Sequence, residues 1–367
     1  MPKSLLTILI VFCTLQFRLT GQELKYYEAT QYPLLGKPID DSASERYYMR
    51  LPDSIQGKIE RPYLYTLGSN TAGMAIRFRT ASPIIGAKWK SVYQSLMNHQ
   101  TPVGSRGLDL YTLEDDSKTW TFVNTARPNL WNAVTETVII NNMEPKMREY
   151  MLYLPLYDGV DSLYIGINSE YTVEQPAIDL PKREKPIIFY GTSILQGGCA
   201  NRPGMAHTNI LERWLNRETI NLGFSGMGQL DLPVAHVIAN ITNPGMVVLD
   251  MVPNVSVAQM DTLLVSFYNI IRTAHPDVPM LFIEDPEFPH CRFDKAARND
   301  VDTKNACLKK HFEYLKKSGE KNIYYLDGKN VIGNDAEATV DGLHFTDLGF
   351  MRFSEILYPI INKHALK

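Results

Sequence analysis

KPIIFYGTSILQGGCANRPG, residues 185–204, reads as a buried strand, a tight glycine turn and a helix start. Ile187, Ile188, Phe189 and Tyr190 form a short apolar run with β-branched and aromatic character, bounded by Pro186 and Gly191. That is the pattern of a strand covered on both faces. Ser193 falls just past its C-terminal end. In an open parallel sheet this is the edge where helix N-termini and variable loops converge and ligands bind, so a small hydroxyl there is a candidate nucleophile.

Downstream of this stretch, strand and helix patterns alternate, the signature of a parallel α/β sheet. Strands are expected at 187–190, 220–222, 246–251, 280–284 and 323–326, and helices at 207–217, 257–274, 303–317 and 347–365. Within 303–317, Leu308, Phe312 and Leu315 recur at helical spacing and form the stripe to be buried. Right-handed crossovers then place helices on both faces of a five-stranded parallel sheet, giving a three-layer α/β/α domain.

Upstream, residues 22–168 show no long helical period. Met74, Ile76 and Phe78 alternate with Ala75, Arg77 and Arg79; Tyr150, Leu152, Leu154 and Leu156 alternate again; Leu163, Ile165 and Ile167 give a third period-2 run. Half-buried strands of this kind need a second sheet, so an all-β, jelly-roll-like sandwich is expected, with Trp89, Trp120 and Trp131 in its core or on a carbohydrate-facing surface. Pro176, Pro181 and Pro186 flank the charged run Lys182-Arg183-Glu184, which reads as a stiff, exposed connector. The resulting division is a signal peptide over 1–21, a β-sandwich over 22–180 and an α/β domain over 181–367.

The signal peptide rests on Lys3, the apolar segment 5–17, and Arg18-Leu19-Thr20-Gly21 as the cleavage region. The apolar segment is shorter than the roughly 20 residues a membrane-spanning helix needs, and Phe12 is too bulky for a lipid-anchoring motif around Cys13. A secreted or periplasmic protein without stable membrane insertion is expected. Its composition is 44% apolar and 21% charged with a net charge of -3, a globular profile that offers no basic groove for nucleic acid. Cys199, Cys291 and Cys307 remain after cleavage, an odd number that rules out a fully paired disulfide framework. A Cys199–Cys291 bond is the open alternative to three free, packed thiols. No C-x-x-C motif or His/Cys cluster points to a metal, and no cofactor is expected.

Four stretches carry chemistry. In Gly191-Thr192-Ser193-Ile194-Leu195-Gln196-Gly197 the serine lies near a helix N-terminus, whose amides can face a developing oxyanion. In Asn221-Leu222-Gly223-Phe224-Ser225-Gly226-Met227-Gly228 the Gly226 amide can serve the same oxygen, and in Leu249-Asp250-Met251-Val252-Pro253-Asn254 the Asn254 side chain can be a third donor. In Val340-Asp341-Gly342-Leu343-His344-Phe345-Thr346, an Asp three residues before a His can fold onto its Nδ1–H. That fixes the tautomer and leaves Nε2 as a base. His290, after Pro286 and Pro289, is the second-choice histidine.

Taken in chain order, Ser193, Gly226, Asn254 and the Asp341/His344 pair resemble the blocks of the SGNH, or GDSL-type, hydrolases. The first block reads GTS where many members have GDS, and the third reads VPN where G-x-N-D is usual. Gly107-Leu108-Asp109-Leu110-Tyr111 resembles the GxDLY signature of the β-domain that accompanies one group of these esterases, with the loop Met97-Asn98-His99 as its candidate contribution to the cleft. The resemblance implies a serine esterase acting on a short-chain ester, acetyl foremost, of a small molecule or carbohydrate. Its catalytic set would be Ser193, His344 and Asp341, with Ser193, Gly226 and Asn254 as the oxyanion hole. Alternatives on the same fold are a lysophospholipase, a thioesterase, an acyltransferase or an inactive carbohydrate-binding protein.

Overall fold

The structure, a computed structural model, describes residues 23–39 and 46–367; the expected signal peptide lies outside the described residues. The N-terminal half contains β1 (Leu24–Glu28), β2 (Leu34–Leu35), α1 (Pro62–Gly68), β3 (Ala75–Thr80), β4 (Ile85–Ser91), α2 (Pro102–Arg106), β5 (Leu108–Leu113), β6 (Trp120–Ala126), β7 (Val134–Ile140), β8 (Arg148–Tyr153) and β9 (Val160–Asn168). These strands form two antiparallel sheets, ordered β1-β9-β4-β7 and β2-β3-β8-β5-β6. The three alternating runs supply the core between them: Met74, Ile76, Phe78, Tyr150, Leu152, Leu154, Leu163, Ile165 and Ile167 are all buried in one cluster. Trp89 belongs to that cluster and Trp120 is buried elsewhere, whereas Trp131 is 88% exposed. The choice between core and surface is thus decided tryptophan by tryptophan.

The second half contains β10 (Lys182–Gly191), α3 (Ser193–Gln196), α4 (His207–Leu215), β11 (Arg217–Gly223), α5 (Leu232–Ala239), β12 (Met246–Asp250), α6 (Val257–Ala274), β13 (Met280–Ile283), α7 (Lys295–Lys317), β14 (Ile323–Leu326) and α8 (Asp347–His364). Its five strands form the expected parallel sheet in the order β11-β10-β12-β13-β14. Alternate strand residues feed opposite layers. Ile188, Tyr190, Val247 and Leu249 pack with Val234, Leu264 and Phe312 on one face, and Ile187, Phe189, Met246 and Val248 pack with Leu211, Phe350 and Phe353 on the other. Gly191 is required at the end of β10, because a Cβ there would lie 2.0 Å from the carbonyl oxygen of Asp250 on β12.

Lys182-Arg183-Glu184 opens β10 and is no free connector: Lys182 pairs with Arg217 of β11, and a register shift separates it from Ile187. Pairing with β12 starts only at Ile187, so the charged end of the strand keeps an uncovered side and stays exposed.

One packing feature bears directly on the site. The five-stranded antiparallel sheet is covered on both faces: beyond its core face, Ala75, Tyr111, Leu113, Trp120, Met151 and Tyr153 form a second buried cluster. Tyr153 O–H bonds Glu212 of α4 at 2.8 Å, and Trp120 Nε1–H donates to Asn216 at 3.1 Å. The β-sandwich therefore lies against the edge of the α/β layer that carries β11 and α4.

Candidate active site

A parallel sheet in which the first strand sits between the second and third has its topological switch at the C-terminal ends of the first and third strands. Here those ends belong to β10 and β12, and Ser193 and Asn254 follow them. Ser193 begins α3 and is only 8% exposed. Its carbonyl oxygen accepts from Gly198 N at 2.8 Å and from the Tyr157 hydroxyl at 2.9 Å, so the serine turn is pinned from both domains. Burial pushes the Tyr157 phenol up and keeps it a donor.

Asp341 and His344 share a turn closed by the Thr339–Phe345 bridge. The Asp341 carboxylate accepts from the amides of His344 (2.8 Å) and Leu343 (3.1 Å) through Oδ1, and its Oδ2 lies 2.8 Å from His344 Nδ1. The other ring nitrogen, Nε2, is 3.0 Å from Ser193 Oγ. Burial raises the Asp341 carboxyl, but the hydrogen bonds from the His344 side chain and the two amides outweigh it and leave its pKa at about 2. An ionised carboxylate thus faces Nδ1–H, and the lone pair of Nε2 faces the hydroxyl. His290, the second-choice histidine, lies behind this turn and donates Nδ1–H to the Gly342 carbonyl at 2.9 Å.

The oxyanion candidates are brought to the same edge. Gly226 has a left-handed φ of +68°, and no atom lies within 4 Å of where a Cβ would be, so open space borders its Cα. Asn254 Nδ2 donates to Phe224 O at 3.3 Å, which ties the third block to the second and leaves the other amide hydrogen for a ligand. Thr192, at the departing position of the first block, is buried, and its hydroxyl has no hydrogen-bond partner among the described residues.

Gln196 and Arg50 contribute without having carried a signal in the sequence. Gln196 ties the first two blocks together by accepting from Ser225 N at 2.9 Å while its amide donates to Asn70 and Leu156 O at 3.0 Å. Arg50, fully buried, donates to the carbonyls of Asn70, Leu67, Asn221 and Gly223, and so caps the end of β11 from the β-sandwich side. The GxDLY stretch grips the loop after Ser193: the buried Asp109 carboxylate accepts from Arg202 (2.7 Å), Gly204 N (2.8 Å) and Thr125 (2.6 Å), and Tyr111 O–H lies 2.6 Å from Arg202.

The loop 97–99 does reach the cleft, with the His99 ring 5.4 Å from the His344 ring. Its root is fixed by Asp158, whose carboxylate accepts from the amides of Tyr93 and Gln94 at 2.8 Å each. His207 is a core residue stacked among Phe189, Phe350 and Phe353, and burial lowers its pKa to about 3. Cys199, Cys291 and Cys307 are free and buried, so the Cys199–Cys291 bond is absent.

A crystal structure of a Bacteroides ovatus protein described as a GDSL-like lipase is 35% identical over 93% of this chain and 98% of that one, with a TM-score of 0.86. The chain belongs to the GDSL-like lipase/acylhydrolase family. Residues 184–362 match the model of that family, and residues 24–173 match the N-terminal region of SGNH-hydrolase-type esterases. A GDSL-like hydrolase of this kind is an ester-hydrolysing enzyme. Two more distant likenesses concern the fold alone. The salicylyl-acyltransferase SsfX3 of a tetracycline pathway is 19% identical over 90% of this chain and 95% of its own (TM-score 0.73). A family two carbohydrate esterase of Clostridium thermocellum, solved with cellohexaose, is 12% identical over 80% and 92% (TM-score 0.57). No curated protein sequence matches this GDSL-like hydrolase. Among the described residues, no helix is long and apolar enough to cross a membrane.

Proposed function

We propose that the protein is an exported serine esterase that removes short acyl groups, acetyl foremost, from carbohydrate or small-molecule esters. The observation that carries this reading is the His344 ring held between Ser193 Oγ at 3.0 Å and Asp341 Oδ2 at 2.8 Å. Ser193 attacks the ester carbonyl while His344 Nε2 takes its proton. The ionised Asp341 stabilises the imidazolium through Nδ1–H without itself being protonated. The amides of Ser193 and Gly226 and the free amide hydrogen of Asn254 receive the oxyanion. Nε2–H then protonates the departing alcohol, and water, deprotonated by the same nitrogen, releases the acid from the serine.

The groups brought to Ser193 are small or polar: Gly198, Tyr157, His344, Cys199 and His99. They suit a short acyl chain better than a long alkyl one. The carbohydrate part of the reading draws on the fold shared with family two carbohydrate esterases, and export draws on the charged and apolar pattern of residues 1–21.

Hydrolysis of p-nitrophenyl acetate, butyrate and octanoate, together with an acetylated oligosaccharide, tests the reading in wild type and Ser193→Ala. The expected result is a rate falling with chain length and a loss of about a thousandfold or more in Ser193→Ala. Equal rates for the two proteins would refute the serine mechanism, and preference for octanoate would refute the short-acyl specificity.

A further inference from the structure

Although the sequence carries no linear metal motif, the fold assembles three ligand-type side chains from both domains. Cys199 Sγ and one ring nitrogen each of His99 and His344 all lie within 4.8 Å of one another. We propose that His99, Cys199 and His344 form a binding site for a soft divalent cation, Zn2+ or a close analogue, and that its occupancy reversibly shuts off the serine. The inhibitory consequence rests on the serine-esterase reading above; the binding site itself does not.

Two imidazoles and a thiolate are a donor set that Zn2+ prefers over the oxygen-seeking alkaline-earth ions. The tautomers are already those of metal ligands. His99 Nδ1–H donates to Asn98 Oδ1 at 3.1 Å and His344 Nδ1–H to Asp341 Oδ2 at 2.8 Å, an arrangement that in the neutral ring puts the lone pair on Nε2. A metal-bound histidine ordinarily has this kind of oxygen partner on its other nitrogen. With Zn–N near 2.0 Å and Zn–S near 2.3 Å, tetrahedral ligand atoms sit roughly 3.5 Å apart. The cluster has to contract by little more than about 1 Å, and His99, on an exposed loop, is free to make that movement. No hydrogen bond is seen at the Cys199 thiol among the described residues, so the one hydrogen bond a cation on these three side chains has to displace is that between Ser193 Oγ and His344 Nε2.

A second cluster of the same type makes a useful contrast. Asp261, Cys307 and His311 also come within 4.8 Å, but Asp261 Oδ1 is engaged by Lys310 Nζ at 2.5 Å, so an ammonium charge stands where a cation would bind. Among the described residues, no hydrogen bond or ion pair joins a lysine or arginine to His99, Cys199 or His344.

Burial, reinforced by Asp341, pushes the Cys199 thiol up to about 12, so without metal it is a neutral, poorly nucleophilic S–H. Binding forms an S–Zn bond and releases that proton to solvent, with no change of oxidation state. Either His344 nitrogen serves the triad, Nδ1 with Asp341 and Nε2 with Ser193, so a cation on the ring removes the base.

The test uses the full mature enzyme, treated with EDTA and returned to chelator-free buffer. Addition of ZnCl2 is expected to lower p-nitrophenyl acetate hydrolysis at least tenfold, and EDTA to restore it. His99→Ala and Cys199→Ser, each measured against its own zinc-free rate, should require at least tenfold more ZnCl2 for the same fractional inhibition. With CoCl2, a thiolate-to-cobalt charge-transfer band should appear in wild type, in Ser193→Ala and in Cys307→Ser, and be absent in Cys199→Ser. No band in wild type, or a band that survives Cys199→Ser, overturns the site. Unchanged inhibition in both ligand variants, or activation by ZnCl2, overturns its inhibitory role. If wild type hydrolyses no ester the esterase reading fails, and the cobalt band still decides whether the site exists.

Discussion

Asp109→Asn tests whether the GxDLY motif acts as a strut between the domains. The carboxylate is fully buried and Arg202 is partly exposed, so the pair is neither a surface ion pair nor a deeply sealed one. Asparagine fits the same space. With its oxygen facing Arg202 and Gly204 N and its amide facing Thr125, which can accept through Oγ1, each contact survives as a neutral hydrogen bond. The loss is the charge assistance of the two bonds at Oδ2, worth about 1 kcal/mol each, or about 2 kcal/mol in all. Arg202 keeps its seat over Phe122, 3.8 Å from the ring centroid, and its contact with Tyr111, which limits the damage. In a chain of this size about 2 kcal/mol lowers Tm by roughly 3 °C. Calorimetry and urea denaturation should show that shift with an unchanged m-value. The Arg202 loop also carries Gly198, whose amide holds Ser193 O, so kcat should fall severalfold while KM stays near wild type. Crossing Asp109→Asn with Arg202→Met should recover a coupling energy of about 1 kcal/mol or more. A Tm within 1 °C of wild type, or a KM change with normal stability, would refute the strut and make Asp109 a substrate contact.

Asn254→Ala removes the one side-chain donor offered to the oxyanion; kcat for p-nitrophenyl acetate should fall by about a hundredfold with KM little changed, and an unaltered kcat would take Asn254 out of the site. Glu212 is buried, and burial raises its pKa from 4.5 to about 8; the Tyr153 hydroxyl, itself directed at Asn209 O (3.3 Å), can accept its proton. Between those values the unfolded chain ionises Glu212 while the native state keeps the proton, so stability falls as pH rises from about 4.5 to 8 and levels off above. Glu212→Gln keeps the bond to the Tyr153 hydroxyl and the one accepted from Thr219 N (3.1 Å) and removes that slope, so urea denaturation should find it level with wild type near pH 4.5 and more stable above pH 8, by up to about 5 kcal/mol.

What the chain disclosed of itself follows a physical divide. The α/β sheet, its strand positions and the β-sandwich core were legible because each rests on a local period. The Asp341/His344 pair was legible because both members share one turn. Elements without a period stayed hidden. Leu232–Ala239 is apolar nearly all round and shows no stripe, and α7 begins eight residues before the expected 303 because its first turns are polar and are started by Asp294, which caps the amides of Ala296 and Ala297.

The deeper omission is the second face of the five-stranded antiparallel sheet. A β-strand alternates between faces, so burial of both leaves a mixed run such as Ala75 to Thr80, in which Arg77 is as buried as its apolar neighbours because it pairs with Glu149. What Arg50 and Tyr157 do around the serine arises from the meeting of two domains and from no local pattern, whereas Asp109 and the loop of His99 were approached through the GxDLY stretch. For that reason the residues of the proposed triad could be named in order along the chain, whereas Arg50 and Tyr157 come into view only where the two halves touch.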